Sequence, residues 1–258
     1  MGRRSDEKSV KLKTGALALF GAVLLSTYPF DPAYEASSTD IFNIFEDMYI
    51  MDIMDLDLQK EKQEEVFEEV FKSEDIPKHI EEKITGVSWN ENAPVGIKDL
   101  KYLTVTYVGF DQKRHTGELV VHEKVADEVI DIFNELYQAG FEIEKIRLID
   151  EYGADDDLSM ADNNSSAFCF RNVDGTKSLS KHSYGIAIDI NPVQNPYIRN
   201  SIISPQRGAE YEDRKNMRPG MIVPGDTCYN AFKSRGWTWG GEWNTMKDYQ
   251  HFQKKIDM

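Results

Sequence analysis

The chain has 258 residues, 40% hydrophobic and 11% aromatic, which suits one large domain or one domain with an appendage. It carries 45 acidic and 30 basic residues, for a formal net charge of −15 and an isoelectric point near 4.8. Proteins that bind nucleic acid need Lys and Arg to displace counterions from the phosphates, so this charge argues against nucleic acid as a partner.

The first 30 residues differ in composition from the rest of the chain. Several Lys and Arg residues precede an apolar run from Gly15 to Leu25. A basic leader followed by about a dozen apolar residues is typical of a secretory signal peptide, whereas a membrane span needs about 20. We therefore expect residues 1–30 to be a signal peptide or an N-terminal membrane anchor, and the rest to be exported to the periplasm or cell envelope. The alternative is a buried helix of a cytosolic protein.

Residues 31–83 form an acidic segment, with 15 Asp and Glu against 4 Lys between residues 40 and 82. Apolar residues recur at helical spacing from Ile41 to Met48 and again from Val66 to Phe71, and Pro77 interrupts the pattern. We predict an acidic helical segment, either a solvated spacer or a partner-binding element. The compact domain is expected to span residues 84–258.

The region after residue 84 predicts a mixed α+β domain. Its predicted elements are two strands (101–109 and 117–122), an amphipathic helix (126–138) and a third strand (143–149). This order favours an antiparallel sheet with flanking helices. Of the five histidines, His79, His115 and His122 have no ligand-like neighbours, and we interpret them as surface or structural residues.

Two later stretches are interpreted as loops. The polar stretch 155–166 lacks the spacing of a calcium-binding EF-hand, so we expect its Asp and Asn residues to stabilise turns. Residues 191–225 contain five prolines and resemble a binding wall or lid, with Tyr197 as a candidate substrate contact. The two cysteines, Cys169 and Cys228, are compatible with a disulfide or with two unpaired thiols.

The stretch 180–192 carries the strongest chemical signal. His182 precedes a short apolar strand from which Asp189 projects, and His251 follows near the C-terminus. Two imidazoles and one carboxylate leave a fourth position open for water, as in a catalytic Zn²⁺ site. Asp248, three residues before His251, is then a spare carboxylate beside that water.

Three motifs carry a family resemblance: Ser-x-His-x-x-Gly-x-Ala-x-Asp-Ile at 180–190, Trp-x-Trp-Gly-Gly-x-Trp at 237–243 and Asp-x-x-His-Phe at 248–252. Together they resemble the M15 metallopeptidases, the D-alanyl-D-alanine carboxypeptidases and L-alanyl-D-glutamate endopeptidases that cut bacterial cell-wall peptides. The resemblance covers roughly residues 85–255. It implies a fold of the hedgehog/D-Ala-D-Ala peptidase type and a zinc ion bound by His182, Asp189 and His251.

The resemblance also implies catalytic roles. Asp248 matches the general base, although residues three apart on a strand face opposite ways, so a turn is required before His251. Glu242 is the alternative base, or a residue that orients a ligand. Arg171 matches the donor that stabilises the oxyanion, with a surface salt bridge as its alternative role. Ser180 is a candidate for hydrogen bonding to the substrate.

The Asp-x-x-His form and the adjacent Trp-Gly-Gly-x-Trp resemble the endopeptidase branch more than the dipeptidase branch, which tends to place Glu there. We therefore expect a monomeric zinc peptidase that acts as an L-alanyl-D-glutamate endopeptidase on peptidoglycan stem peptides. A D-alanyl-D-alanine carboxypeptidase is the alternative enzyme. The alternative of another class is a non-catalytic, metal-bearing cell-wall module, which would need neither Asp248 nor Arg171.

Overall fold

The computed structural model describes residues 49–51 and 67–257. The chain divides into two compact units, residues 1–66 and residues 67–258. In the first unit only residues 49–51 are described, and they are helical. The expected signal peptide or anchor, and most of the acidic segment, therefore lie outside the described residues. Within the described ranges, no helix is both long enough and apolar enough to cross a membrane.

The second unit is built on a three-stranded antiparallel sheet in the order β1 (Phe71–Asp75), β2 (Leu100–Val108), β3 (Arg114–His122). A short helix, α1 (Lys78–Ile84), lies between β1 and β2 in the chain. A longer helix, α2 (Glu123–Gln138), packs on the sheet. The predicted hairpin and helix are confirmed. Helix α2 begins at Glu123 because the His122 ring accepts a hydrogen bond from the backbone N of Lys124 (3.1 Å) and caps it. This confirms the structural role expected for His122.

The structure corrects the helix expected around residues 66–71. Strand β1 pairs with the edge of β2, from Phe71 opposite Val105 to Asp75 opposite Lys101. The backbones of Val70 and Thr106 are joined as well, because the Thr106 N donates to the Val70 O (2.8 Å). Pairing with an open sheet edge therefore overrides the helical spacing of the local sequence. The compact unit accordingly begins at Phe67, N-terminal to the expected start at residue 84.

The segment between α2 and the metal motif also differs from expectation. The predicted strand 143–149 is reduced to β4 (Lys145–Ile146), which pairs in parallel with β5 (Asn164–Ser165). The predicted polar loop contains a helix, α3 (Asp156–Ala161). The Asp155 side chain accepts a hydrogen bond from the backbone N of Leu158 (3.0 Å) and caps α3, so the expected local role of these acids is confirmed at Asp155.

The C-terminal part adds six short strands and one helix: β6 (Ala187–Asp189), β7 (Tyr197–Arg199), β8 (Ile202–Ser204), α4 (Thr227–Lys233), β9 (Thr238–Trp239), β10 (Lys247–Asp248) and β11 (His251–Gln253). Two antiparallel sheets result, in the orders β6-β11-β9 and β10-β7-β8. The expected long loop 191–225 thus contains the β7–β8 hairpin and a 3-10 turn at Gln206–Tyr211.

The core behind these strands holds the site elements in place. Phe252 in β11 is fully buried and stacks on Phe232 of α4, with ring centroids 4.1 Å apart. Neighbouring apolar residues of β6 are buried in the same core as α2 and the main sheet. Cys169 and Cys228 are both buried free thiols, which confirms the unpaired alternative.

Candidate metal centre and active site

The three expected ligands lie on three short elements that meet in the core. His182 lies in a 3-10 turn (Lys181–Tyr184), which begins where the Ser180 hydroxyl accepts a hydrogen bond from the backbone N of His182 (3.3 Å). The turn ends at Gly185. Its φ of +67° favours glycine, and a Cβ at this position would lie only 2.5 Å from the backbone N of His122. Asp189 ends β6 and His251 begins β11, and the antiparallel register places them opposite each other.

The side chains of these residues converge in a buried cluster. His182 Nε2 is 3.2 Å from Asp189 Oδ2, and His251 Nδ1 is 2.9 Å from Asp189 Oδ1. The two ring nitrogens, His182 Nε2 and His251 Nδ1, are 3.3 Å apart. Two ligand atoms of a tetrahedral zinc ion, each at about 2.0–2.1 Å, lie about 3.3 Å from each other. The donor types and their spacing therefore fit a zinc ion held by His182, Asp189 and His251.

The outer nitrogen of each imidazole is also engaged. His182 Nδ1 lies within hydrogen-bonding distance of the Ala167 carbonyl oxygen, and His251 Nε2 is 3.2 Å from Gln253 Oε1. Both acceptors favour a proton on the outer nitrogen, which leaves the inner nitrogens as lone-pair donors. Such contacts fix the tautomer and the ring orientation of metal ligands.

The electrostatics of the cluster are dominated by Asp189. Burial opposes ionisation of its carboxyl group, but the attraction of His182 and His251 outweighs burial and holds its pKa well below the usual value. For His251, burial favours the neutral ring, but the Asp189 carboxylate outweighs it and raises the pKa to about 9. In the absence of a metal ion, the cluster therefore retains a proton on His251 at neutral pH.

Asp248 lies next to this cluster, as expected for a general base. It ends β10, and bends at Tyr249 and Gln250 separate it from His251, which confirms the required turn. Its Oδ1 is buried and has no hydrogen-bond partner within residues 67–257. Burial raises the pKa of Asp248 to about 6, against the attraction of His251 and with the repulsion of Asp189. Gly240 packs against it so closely that a Cβ would lie 2.8 Å from the Asp248 Cβ.

The other two acidic or polar candidates near this strand are placed differently. Tyr197 lies directly opposite Asp248 in the β7–β10 pair and is half-buried. Glu242 instead accepts a hydrogen bond from the Tyr229 hydroxyl (2.7 Å) and pairs with Lys233 Nζ (2.7 Å), both on α4. The Lys233 contact, followed by that of Tyr229, lowers the pKa of Glu242. These contacts argue against Glu242 as the base and against a contact with a ligand histidine.

Arg171 is attached to the turn that carries His182. Its backbone N donates to the Ser183 hydroxyl (3.0 Å), and its carbonyl accepts from the same hydroxyl (2.7 Å) and from the Ser180 backbone N (3.0 Å). The Ser180 side chain is buried and shapes this turn. The Arg171 guanidinium forms an ion pair with Asp156 of α3, with Nη2 and Oδ2 2.8 Å apart.

Two residues of this region were not identified from the sequence. Gln253 lies two residues after His251 on β11, so alternation along the strand places both side chains on one face. That alternation was a usable signal. Asp156 is one of several acids in a polar stretch, and nothing in the local sequence distinguishes it from its neighbour Asp157.

Residues 174–254 match the family model described as D-alanyl-D-alanine carboxypeptidase, one of the M15 peptidase models. The matched range contains the three cluster residues and Asp248, and it begins after Arg171. No curated protein and no solved structure matches the chain. The match confirms the resemblance of these motifs to the M15 peptidases, for the segment that carries the buried cluster.

Proposed function

We propose that the protein is a zinc-dependent peptidase that hydrolyses peptidoglycan stem peptides between L-alanine and D-glutamate. The observation that carries the proposal is the buried cluster of two imidazoles and one carboxylate, with a further buried carboxylate oxygen of Asp248 beside it. Structural zinc sites use four protein ligands, whereas catalytic sites use three and keep one position open. The arrangement supports a catalytic site.

Each side chain around the cluster has a separate role in peptide hydrolysis. When bound, zinc supplies Lewis acidity, which favours ionisation of water near neutral pH and polarises the scissile carbonyl group. Asp248 accepts the proton of the attacking water and returns it to the leaving amine. Arg171 stabilises the oxyanion of the tetrahedral intermediate. Tyr197, opposite Asp248 in the β7–β10 pair, contacts the peptide.

The composition of the chain supports a location outside the cytoplasm. The basic leader and apolar run of residues 1–30 support export to the periplasm or cell envelope, as a cleaved signal peptide or as an anchor. The net charge of −15 argues against a nucleic-acid partner. We expect a monomer whose only required partner is its peptide substrate.

The second candidate is a D-alanyl-D-alanine carboxypeptidase, which the description of the matched family favours. The same catalytic residues serve either bond, since both reactions attack a peptide carbonyl with water. The third candidate, a non-catalytic metal-bearing module, would need neither the buried Asp248 oxygen, which has no hydrogen-bond partner within the described residues, nor Arg171.

The test is product analysis. Purified protein with one equivalent of zinc is incubated with purified peptidoglycan, and the released peptides are identified by mass spectrometry. The proposal predicts free D-glutamate amino termini, whereas release of D-alanine alone would favour the carboxypeptidase. Protein treated with a chelator, and the Asp248→Asn variant, serve as controls that should release neither product. Binding to peptidoglycan without any product would favour the non-catalytic module.

A further inference from the structure

We propose that Asp156 is a positioning residue of the active site: it holds the Arg171 guanidinium by one nitrogen and so directs the rest of that group towards the scissile carbonyl. The inference rests on the proposed peptidase function and assigns a role to helix α3. Its starting point is the 2.8 Å ion pair between Asp156 Oδ2 and Arg171 Nη2. About a quarter of the Arg171 side chain is exposed (25%), so the pair is partly open to solvent.

The charged groups that act on Asp156 include Arg171 and two residues of the metal cluster. Burial raises the pKa of Asp156, and the neighbouring Arg171 opposes this shift. The Asp189 carboxylate raises it further, while His182 lowers it. The pKa of Arg171 is in turn raised, against burial, by Asp156 and by Asp189. Asp156 therefore lies within electrostatic reach of two metal-ligand residues as well as of Arg171.

Both partners of the pair are anchored by other contacts. On one side, Asp155 caps α3, and Ser159 of α3 is buried with its hydroxyl 3.0 Å from the Asn164 amide nitrogen. On the other side, the Arg171 backbone is held by Ser180 and Ser183, in the turn that carries His182. The ion pair thus connects two fixed elements of the fold.

The ion pair uses one nitrogen of the Arg171 guanidinium and leaves part of the side chain exposed. Within the described residues, Arg171 Nε is buried and has no hydrogen-bond partner. Buried donors are nearly always satisfied, so an unsatisfied one needs an explanation. A substrate cannot reach the buried Nε in this conformation, but the exposed quarter of the side chain can donate to a substrate oxyanion. An arginine side chain has several rotatable bonds, and fixing the guanidinium beforehand avoids reorganisation when the oxyanion forms.

The negative charge of Asp156 has an effect opposite to that of positioning. It partly neutralises the Arg171 guanidinium and so weakens the electrostatic attraction between Arg171 and an oxyanion. The two effects predict different results for Asp156→Ala. If positioning dominates, kcat falls on the order of 10- to 100-fold, the usual cost of removing a group that orients a catalytic residue. If neutralisation dominates, kcat rises. KM should change little, since the oxyanion exists only in the transition state.

The experiment measures kcat and KM on purified peptidoglycan for Asp156→Ala, Asp156→Glu and Asp157→Ala, each with zinc content determined. Asp157 is exposed on the same turn of α3, so its variant controls for lost helix charge and should match the wild type. Asp156→Glu should recover part of the activity. All variants should hold full zinc.

A double-mutant cycle then tests whether Asp156 acts through Arg171. Arg171→Ala should lower kcat by about 100- to 1000-fold, and adding Asp156→Ala should cause no further loss. An equal loss from Asp156→Ala with and without Arg171 would overturn the inference, as would an unchanged or higher kcat in Asp156→Ala.

A readout independent of catalysis separates this inference from the proposed function. Nitrogen-15 relaxation of the Arg171 Nε–H should show an ordered group in the wild type and in Asp157→Ala, and a mobile one in Asp156→Ala. If the wild type does not cleave peptidoglycan, the proposed function fails, and the relaxation data still decide whether Asp156 holds Arg171. Equal order in all variants would contradict the inference even if the enzyme is active.

Discussion

Asp189 and His251 lie opposite each other on antiparallel strands β6 and β11, with Asp189 Oδ1 2.9 Å from His251 Nδ1. They are 62 positions apart in the sequence, and strand pairing brings them together. His182 joins them from a turn next to β6, so the cluster depends on the register of a single pair of short strands.

The first prediction concerns the three ligands. His182→Ala, Asp189→Ala and His251→Ala should each abolish stoichiometric zinc binding and activity, because a site with three protein ligands has none to spare. Elemental analysis of the purified proteins measures the zinc content. His79→Ala, which changes an exposed histidine of α1, is the matched control and should retain full zinc. A His251→Ala protein with full zinc would exclude this ligand assignment.

The second prediction concerns pH. The pKa of His251 is raised to about 9, so its interaction with Asp189 stabilises the metal-free protein fully below about pH 6.5, and this contribution is lost as pH rises through 9. The lowered pKa of Asp189 keeps the interaction intact above about pH 4. Zinc must displace the His251 proton. The affinity for zinc therefore rises over the same pH range in which the metal-free protein becomes less stable.

Thermal denaturation between about pH 6 and 9, with and without zinc, measures both trends. The Tm of the metal-free protein should fall with rising pH, and the increase in Tm caused by zinc should grow. In metal-free His251→Gln the fall should be smaller, because that variant has no proton to lose at this position. Parallel Tm curves with and without zinc would contradict the prediction.

The third prediction concerns the N-terminal limit of the catalytic unit. A chain beginning at Phe67 should fold and retain activity, because β1 and its pairing with β2 are intact. A chain beginning at Pro77 loses β1 and should be less stable by roughly 3 kcal/mol or more, since several backbone hydrogen bonds are lost at about 0.5–1.5 kcal/mol each. Urea denaturation of both chains measures the difference. Equal stability would show that β1 is dispensable.

The fourth prediction concerns the residue that orients His251. Gln253→Ala removes the acceptor 3.2 Å from His251 Nε2 and should weaken zinc binding on the order of 10- to 100-fold. Competition with a chelator of known affinity gives the dissociation constant. Gln138→Ala, at the end of α2, removes an exposed amide and should leave zinc affinity unchanged. Unchanged affinity in Gln253→Ala would mean that the contact has no part in metal binding.

The sequence predicted those parts of the fold that rest on local patterns. The β2–β3 hairpin and helix α2 follow from alternation and helical spacing, and the structure contains both. Strand β1 could not be predicted in this way, because the helical spacing of residues 66–71 runs into its first residue, Phe71, and its partner β2 lies about 30 residues further along the chain. Pairing with a distant strand cannot be predicted from the residues of β1 alone.

In the site, too, local motifs could be predicted from the sequence and long-range contacts could not. His182, Asp189 and His251 were predicted from motifs whose residue types suit zinc, and the structure brings their side chains together. Gln253 and Asp156 act through contacts to residues elsewhere in the sequence, and only the fold shows which Asp of the 155–157 run faces Arg171. The contacts of Glu242 with α4 could likewise be seen only once α4 was placed beside it.

Asp248 is the proposed general base beside the metal cluster. Asp248→Asn keeps the shape of the side chain but cannot accept a proton at neutral pH. It should retain full zinc and a near-normal KM, while kcat falls by about 100- to 10,000-fold. Glu242→Gln is the matched control, because Glu242 is bonded to Lys233 and Tyr229, and its kcat should stay near that of the wild type.

The most direct test is therefore kcat on purified peptidoglycan, measured alongside zinc content, for Asp248→Asn and Glu242→Gln. If Asp248 is the base, Asp248→Asn should be zinc-loaded and nearly inactive, and Glu242→Gln should be active. A zinc-loaded Asp248→Asn with near-normal kcat, together with an inactive Glu242→Gln, would contradict it and transfer the role of base to Glu242.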